Sequence, residues 1–415
     1  MTVAFKTFGC RLNRAETAQF EAGFAAEGCA RVPFGEPADV TVFHTCAVTA
    51  AAESEGLKLI RAQRKKDPDG LFVLAGCAVE AAAQATLHAL GVDLIVPRDQ
   101  KDALVALVLR HLGREPQAAA VPPLRTTKRA ALKVQDGCDF FCTYCIVPHT
   151  RGLPRSRPFD LCLSDARAFI DAGFQEIVVT GCNLACYADG ARGLVDLLAA
   201  LTGLPGLGRL RLGSVEPGTV EREVAALMAA NDKLCPFLHL PIQSGDSGVL
   251  KRMGRRYTAE QMAETLREIV ERLPRIGLGA DLITGFPGES EEAFAHTQTL
   301  AEAFPFSNLH VFPYSERPGT PAASFDGAVP EAERRRRAAA LGRLRTRQRE
   351  AFAQRFVGQP VTVLIEGVDA QGNARGWTGE YLECRVAGLT RAALAQLVAC
   401  TPHAAEGGAL LARRT

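Results

Sequence analysis

The chain has 415 residues, enough for about two or three domains. Hydrophobic residues at 47% and charged residues at 23% allow sizeable cores and exclude a mainly disordered protein, and a formal net charge of only +2 means that a nucleic-acid partner must be held by local basic patches. No apolar run is long enough to span a membrane, the stretch from Met1 to Lys6 lacks a signal peptide's apolar region, and thirteen cysteines in such a chain point to reduced thiols used for metal or redox chemistry, so the expected location is cytoplasmic with no membrane partner.

Residues 1–112 alternate short apolar runs with helical patterns. Strands are expected at Val3–Phe8, Val40–His44, Leu71–Ala75 and Val92–Val96, and helices at Ala15–Glu27, Ala51–Lys66, Val79–Leu90 and near Asp99–Leu112. Strands alternating with helices imply a parallel α/β sheet. The first three strands run into Gly9-Cys10, Thr45-Cys46 and Gly76-Cys77. Ligands of open parallel sheets bind beyond the carboxyl ends of the strands, so the three thiols are expected to converge. Cysteine is also a common small buried residue, and that is how Cys29 is read.

Residues 113–127 are proline-rich and aperiodic, as in a linker. From 128 to 328 a second alternating pattern begins. Strands are expected at Ala131–Gln135, Glu176–Thr180, Arg209–Gly213, Phe237–Ile242, Leu278–Thr284 and Asn308–Pro313, with helices near Leu161–Ala172, Gly193–Leu201, Val220–Ala230, Ala259–Arg272 and Glu291–Phe304. Six such units with right-handed crossovers suggest a parallel sheet curled into a partial barrel. The loop after its first strand reads Cys138-Asp139-Phe140-Phe141-Cys142-Thr143-Tyr144-Cys145. Three thiolates this close select a soft metal centre: either zinc, with His149 completing a Cys3His set, or a four-iron cluster with one open iron.

CxxxCxxC with Tyr144 before the last cysteine resembles the signature of the radical S-adenosylmethionine (radical SAM) superfamily. That resemblance implies a [4Fe-4S] cluster on Cys138, Cys142 and Cys145, whose open iron chelates S-adenosylmethionine and whose electron breaks the sulfonium bond to give a 5′-deoxyadenosyl radical. The stretches Gly9–Asn13, the Cys46 loop, Gly76–Ala78, His239–Gly245 and Asp281–Gly288 further resemble the methylthiotransferases of that superfamily. By this likeness Cys10, Cys46 and Cys77 hold a second [4Fe-4S] cluster that carries the sulfur, and Gly181, Ser214, Glu216 and Gln243 contact S-adenosylmethionine with Tyr144. Phe8–Asn13 looks most like the branch acting on N6-threonylcarbamoyladenosine beside the tRNA anticodon. The partners so implied are tRNA, a reducing electron-donor protein and a sulfur source. The isopentenyladenosine and ribosomal-protein branches stay open, as does a non-catalytic zinc and RNA-binding protein. Cys182 and Cys186 are read as filler thiols, and Cys162 and Cys235 receive no role.

Residues 329–356 carry Arg334–Arg337 and then Arg343, Arg345, Arg347 and Arg349 on one helix, a run nearly of one sign and therefore expected in part to face RNA. Residues 357–415 read as short strands between glycines, a small all-β unit that resembles the RNA-binding TRAM barrel. Trp377, the chain's only tryptophan, is read either as its core or as a base-stacking platform.

Overall fold

The computed structural model describes residues 1–117, 127–370 and 372–414; the middle of the expected linker lies outside the described residues. The chain forms two compact units. The first comprises residues 1–126, 136–155 and 315–323, and the second residues 127–135, 156–314 and 324–415.

In the first unit β1 (Thr2–Thr7), β2 (Ala30–Arg31), β3 (Val40–Thr45), β4 (Leu71–Gly76) and β5 (Leu94–Ile95) make a parallel sheet in the order β2-β1-β3-β4-β5. Its central strand β3 is buried along its whole length, and the sheet is covered on both faces. Phe5, Phe20, Phe24, Val40 and Val108 pack on one side, and Phe43, Ile60, Phe72, Leu74 and Leu87 on the other. The helices are α1 (Arg11–Ala26), α2 (Ala50–Lys66), α3 (Cys77–Ala81), α4 (Gln84–His88), α5 (Leu104–His111) and α6 (Val147–Arg151). The single helix expected over 79–90 is therefore two. Ala82 and Ala83 take extended conformations, with ψ 149° and 140°. Nothing in an alanine run breaks a helix locally; tertiary packing overrides propensity, and α3 lies against α6.

In the second unit β6 (Ala130–Lys133), β7 (Glu176–Thr180), β8 (Arg209–Leu212), β9 (Phe237–Gln243), β10 (Gly277–Thr284) and β11 (Phe306–Pro313) form two parallel three-stranded sheets, β6-β7-β8 and β9-β10-β11. Bridges Leu210–Leu234 and Ser214–His239 connect them, so six parallel strands run in sequence order as a partial barrel. Helices α7 (Phe159–Asp171), α8 (Leu194–Thr202), α9 (Glu221–Ala230), α10 (Ser247–Arg252), α11 (Ala259–Arg272) and α12 (Glu291–Ala303) accompany the strands, and the amphipathic ones bury residues such as Leu197, Val224, Leu266 and Phe294 in one core with the strands. Then α13 (Glu331–Gln354) leads to β12 (Val361–Val368), β13 (Ala374–Thr378), β14 (Glu383–Ala387), β15 (Leu397–Glu406) and β16 (Ala409–Arg414), which close into a barrel of order β12-β13-β14-β16-β15.

The small barrel is seated at the amino ends of the large barrel's strands. Arg211 donates to the carbonyls of Thr378 (2.7 Å) and Gly379 (3.0 Å), and Arg209 to those of Thr362 (3.0 Å) and Trp377 (2.8 Å). Both guanidiniums also meet Glu176, which is fully buried. Burial would raise the Glu176 pKa, but Arg211 and Arg209 outweigh it and hold the carboxyl at about 2. Its stabilisation is present above the ordinary carboxylate range and is lost as pH falls toward 2. Trp377 reports this directly, because it is stacked on Tyr381 at 4.8 Å, and Tyr381 packs on Phe237. Its indole thus packs at the joint between the barrels. We expect its fluorescence to shift red between about pH 4.5 and 2. In Glu176→Gln, which leaves two guanidiniums without a counter-charge, the shift is expected already at neutral pH, with about 3–5 kcal/mol of stability lost. An unshifted variant spectrum would contradict the joint.

Candidate functional site

The carboxyl ends of β1, β3 and β4 bring three thiols together. Cys10 is the N-cap residue of α1, Cys46 follows β3, and Cys77 is the first residue of α3. Gly9 has φ +86°, and a Cβ added there would lie 2.5 Å from the Cys46 sulfur, so the Cys10 loop passes Cys46 at a distance only glycine allows. The Cys46 thiol is pushed up chiefly by burial and further by Cys77 and Cys10, while the N–H of Val48, 3.5 Å from its sulfur, opposes that shift. Two buried thiols and the exposed Cys10 beside them, with a backbone donor on the Cys46 sulfur, are a donor set that fits a bound cationic iron–sulfur group open to solvent on one side.

The second trio lies in the same unit. Cys138 and Cys145 are partly exposed and Cys142 is buried. The loop closes through Cys138 N–H to Gly152 O (3.0 Å) and Cys145 N–H to Cys142 O (2.9 Å). Phe141 holds φ +48°, an unusual conformation for an aromatic residue, and is exposed. Tyr144 is half-buried, and Ala322 N–H donates to the neighbouring Thr143 carbonyl (2.9 Å). His149, the fourth ligand of the zinc reading, is exposed with its ring against Phe141.

Sequence reasoning missed what supports both loops, a buried ionic cluster of Asn13, Glu16, Lys101, Asp136 and Arg151. Arg151 donates to Asp136 Oδ1 (2.9 Å), to Glu16 (3.2 and 3.3 Å) and, by a very short contact, to Asn13 Oδ1. Asn13 Nδ2 donates to the carbonyls of Phe8 (3.0 Å) and Thr45 (2.9 Å), the residues leading into Cys10 and Cys46. Lys101 completes the charge balance on Glu16. His44, whose pKa burial lowers, lies with Nε2 3.3 Å from Glu16. The signal available was the polar Asn13 and Glu16 on the otherwise buried face of α1.

In the second unit the residues expected to contact S-adenosylmethionine stand at the carboxyl ends of successive strands. Gly181 follows β7, where a Cβ would come 2.9 Å from Gln135 Oε1. Ser214 and Glu216 follow β8, and Gln243 ends β9 with φ +70°. Ser214 Oγ is hydrogen-bonded to His239 Nδ1 at 2.9 Å. Glu216 is pushed up to about 7 by burial although it meets Arg255, a residue sequence reasoning passed over. Cys162 and Cys235 are buried, the former pushed up to about 11 by burial; Cys182 and Cys186 are half-buried beside the short turn Leu184–Cys186.

The first part of the basic run is paired within the protein. Arg336 and Arg337 bind Glu291 and Glu333, Arg337 also binds Glu289 at 2.7 Å, Arg335 meets Glu331, and Arg334 donates to Val329 O (2.7 Å) and Tyr314 O (3.1 Å). The acids that neutralise them come from the helix itself, Glu331 and Glu333, and from Glu289 and Glu291 at the start of α12 and the turn before it. Arg343, Arg345 and Arg347 remain exposed.

Comparison with known proteins agrees with this layout. Residues 132–301 match the Radical SAM superfamily, and residues 2–97 match the uncharacterized protein family UPF0004. A radical SAM methyltransferase from Kitasatospora setae has the same fold, with TM-score 0.59 and 15% identity over 78% of this chain and 77% of that one. The threonylcarbamoyladenosine tRNA methylthiotransferase MtaB of Bacillus subtilis is 34% identical, covering 92% of this chain and 89% of that protein. A tRNA-2-methylthio-N(6)-dimethylallyladenosine synthase from Desulfosudis oleivorans is 33% identical, covering 92% and 88%. The partial barrel and its cysteine loop thus define a radical SAM enzyme. More narrowly, the chain belongs to the radical SAM methylthiotransferase family.

Proposed function

We propose that this enzyme puts a methylthio group on C2 of N6-threonylcarbamoyladenosine at position 37 of tRNA. The observation that carries the proposal is the gathering of Cys10, Cys46 and Cys77 at three strand ends of the unit that also holds Cys138, Cys142 and Cys145. An aromatic C–H is too strong and too weakly acidic for a side-chain base, so cofactors must supply the reactivity. When bound, a [4Fe-4S] cluster on Cys138, Cys142 and Cys145 and two S-adenosylmethionines supply the electron, the hydrogen-abstracting radical and the methyl group, and a [4Fe-4S] cluster on Cys10, Cys46 and Cys77 supplies the sulfur.

The protein's own part is placement. The Asn13–Arg151 cluster fixes both cysteine loops within one unit. Gly181, Ser214, Glu216 and Gln243 stand at the strand ends for S-adenosylmethionine. Arg343, Arg345 and Arg347, with the C-terminal barrel acting as a TRAM-type unit, provide local positive charge for tRNA phosphates. A reducing electron-donor protein and a sulfur source complete the cycle in the cytoplasm. Among the described residues no helix is long and apolar enough to cross a membrane.

Relatives named for the threonylcarbamoyl substrate, 32–34% identical over 87–92% of this chain, support that substrate. Relatives named for dimethylallyladenosine at 33–35% identity support the second reading, methylthiolation of isopentenyladenosine. Mass spectrometry of tRNA nucleosides from cells with and without the protein decides between them. Loss of the methylthio form of threonylcarbamoyladenosine alone is expected. Loss of the isopentenyl form would replace the substrate, and an unchanged tRNA profile would remove tRNA from the account and favour a ribosomal-protein side chain.

A further inference from the structure

On the face of the large barrel's sheet opposite its helix-packed core, β9, β10 and β11 present His239, Asp281 and His310. Leu238, Leu240, Leu278, Ala280, Leu282 and Leu309 on the same strands belong to that core, and Asp281 and His310 are direct register partners. His239 Nε2 lies 3.3 Å and His310 Nδ1 3.1 Å from Asp281 Oδ1, and one donor atom from each residue lies within 4.8 Å of the others. Donors held about 2.0–2.2 Å from one ion lie roughly 3.0–3.5 Å apart, whether the angle is right or tetrahedral. The two histidine-to-carboxylate spacings fall in that range, and without an ion the His310 one serves as a hydrogen bond.

Two further observations point to a ligand. The His239 side chain is only 9% exposed, and its Nε2 has no hydrogen bond of good geometry, an orphaned buried polar atom aimed at the carboxylate. Its other nitrogen, Nδ1, is held by Ser214 Oγ at 2.9 Å, and with Nδ1–H donating to that hydroxyl the Nε2 lone pair is left for a metal. Space is reserved for this ring. Gly279 stands opposite His239 on β10, and a Cβ there would fall 2.7 Å from the imidazole.

We propose that His239, Asp281 and His310 bind a first-row divalent cation such as zinc. Two imidazoles and a carboxylate are the donor set of catalytic rather than structural sites, and three protein ligands leave a position for water or a substrate oxygen. Asp281 and His310, 27% and 42% exposed, mark the open side. The site stands on the geometry of the second unit alone and does not depend on which adenosine is modified.

The test uses the full chain with its clusters reconstituted anaerobically, dialysed against zinc and analysed for zinc and iron together, beside Asp281→Asn and His310→Gln. The wild type is expected to hold about one zinc more per chain than either variant, with equal iron in all three, and X-ray absorption should show nitrogen and oxygen around that zinc. Equal zinc in all three proteins, or a sulfur shell that accounts for all the zinc in the wild type, overturns the proposal. Circular-dichroism spectra and thermal melts matching the wild type show that the second unit of the variants folds, as expected for the half-exposed His310. A low iron count in the wild type would count against the cluster assignment instead, so the two failures are distinguishable.

Discussion

Replacing Cys46 with alanine is expected to separate the two halves of the chemistry. The variant should hold about four irons where the wild type holds about eight, still cleave S-adenosylmethionine to 5′-deoxyadenosine, and form no methylthio product. Cys46 is the informative choice because it is buried, next to Gly9, and electrostatically coupled to both Cys10 and Cys77. The matching change at Cys142, the buried member of the other trio, should also halve the iron but abolish cleavage. Cleavage lost in both variants would mean one shared centre rather than two.

Arg151→Met is expected to be strongly destabilising to the first unit. Arg151 is the contact common to Asp136, Glu16 and Asn13, and all four side chains are buried. Removing it leaves two carboxylates to Lys101, whose Nζ lies 3.8 Å from Asp136. Breaking a buried pair from one side costs about 3–5 kcal/mol, which should lower the first thermal transition by roughly 10 °C. Because Asn13 holds the Phe8 and Thr45 carbonyls, the Cys10–Cys46–Cys77 cluster should become labile as well. Arg151→Lys keeps the charge but loses the forked contacts, so its effect is expected to lie between wild type and methionine. A calorimetric scan checks both; an unshifted methionine variant would show that the cluster contributes packing and nothing more.

The parallel strands and the cysteine trios were legible because each rests on local pattern: apolar runs of strand length, and thiols placed where such runs stop. All six strands of the large barrel fall within two residues of expectation. What was not legible depends on pairing across the chain. Glu16 meets Arg151 across 135 residues, and no window of sequence shows it. The helix expected over 79–90 looked continuous because alanine favours helix, yet contact of α3 with α6 decided otherwise. Arg334–Arg337 looked like an RNA-facing run because Glu289 and Glu291, which join the helix's own Glu333 on Arg336 and Arg337, lie more than forty residues upstream. Trp377 had two readings, and the stack on Tyr381 places it at the joint between the barrels. His239 and Asp281 stood inside quoted family stretches, but their meeting with His310 exists only once three strands are side by side.

The account's central claim, two iron–sulfur centres each held by three thiolates, is tested most directly by Mössbauer spectroscopy and iron analysis of anaerobically purified protein. About eight irons per chain in two [4Fe-4S] clusters is the expected result. Four irons, or a colourless protein carrying zinc at its cysteines, would contradict it.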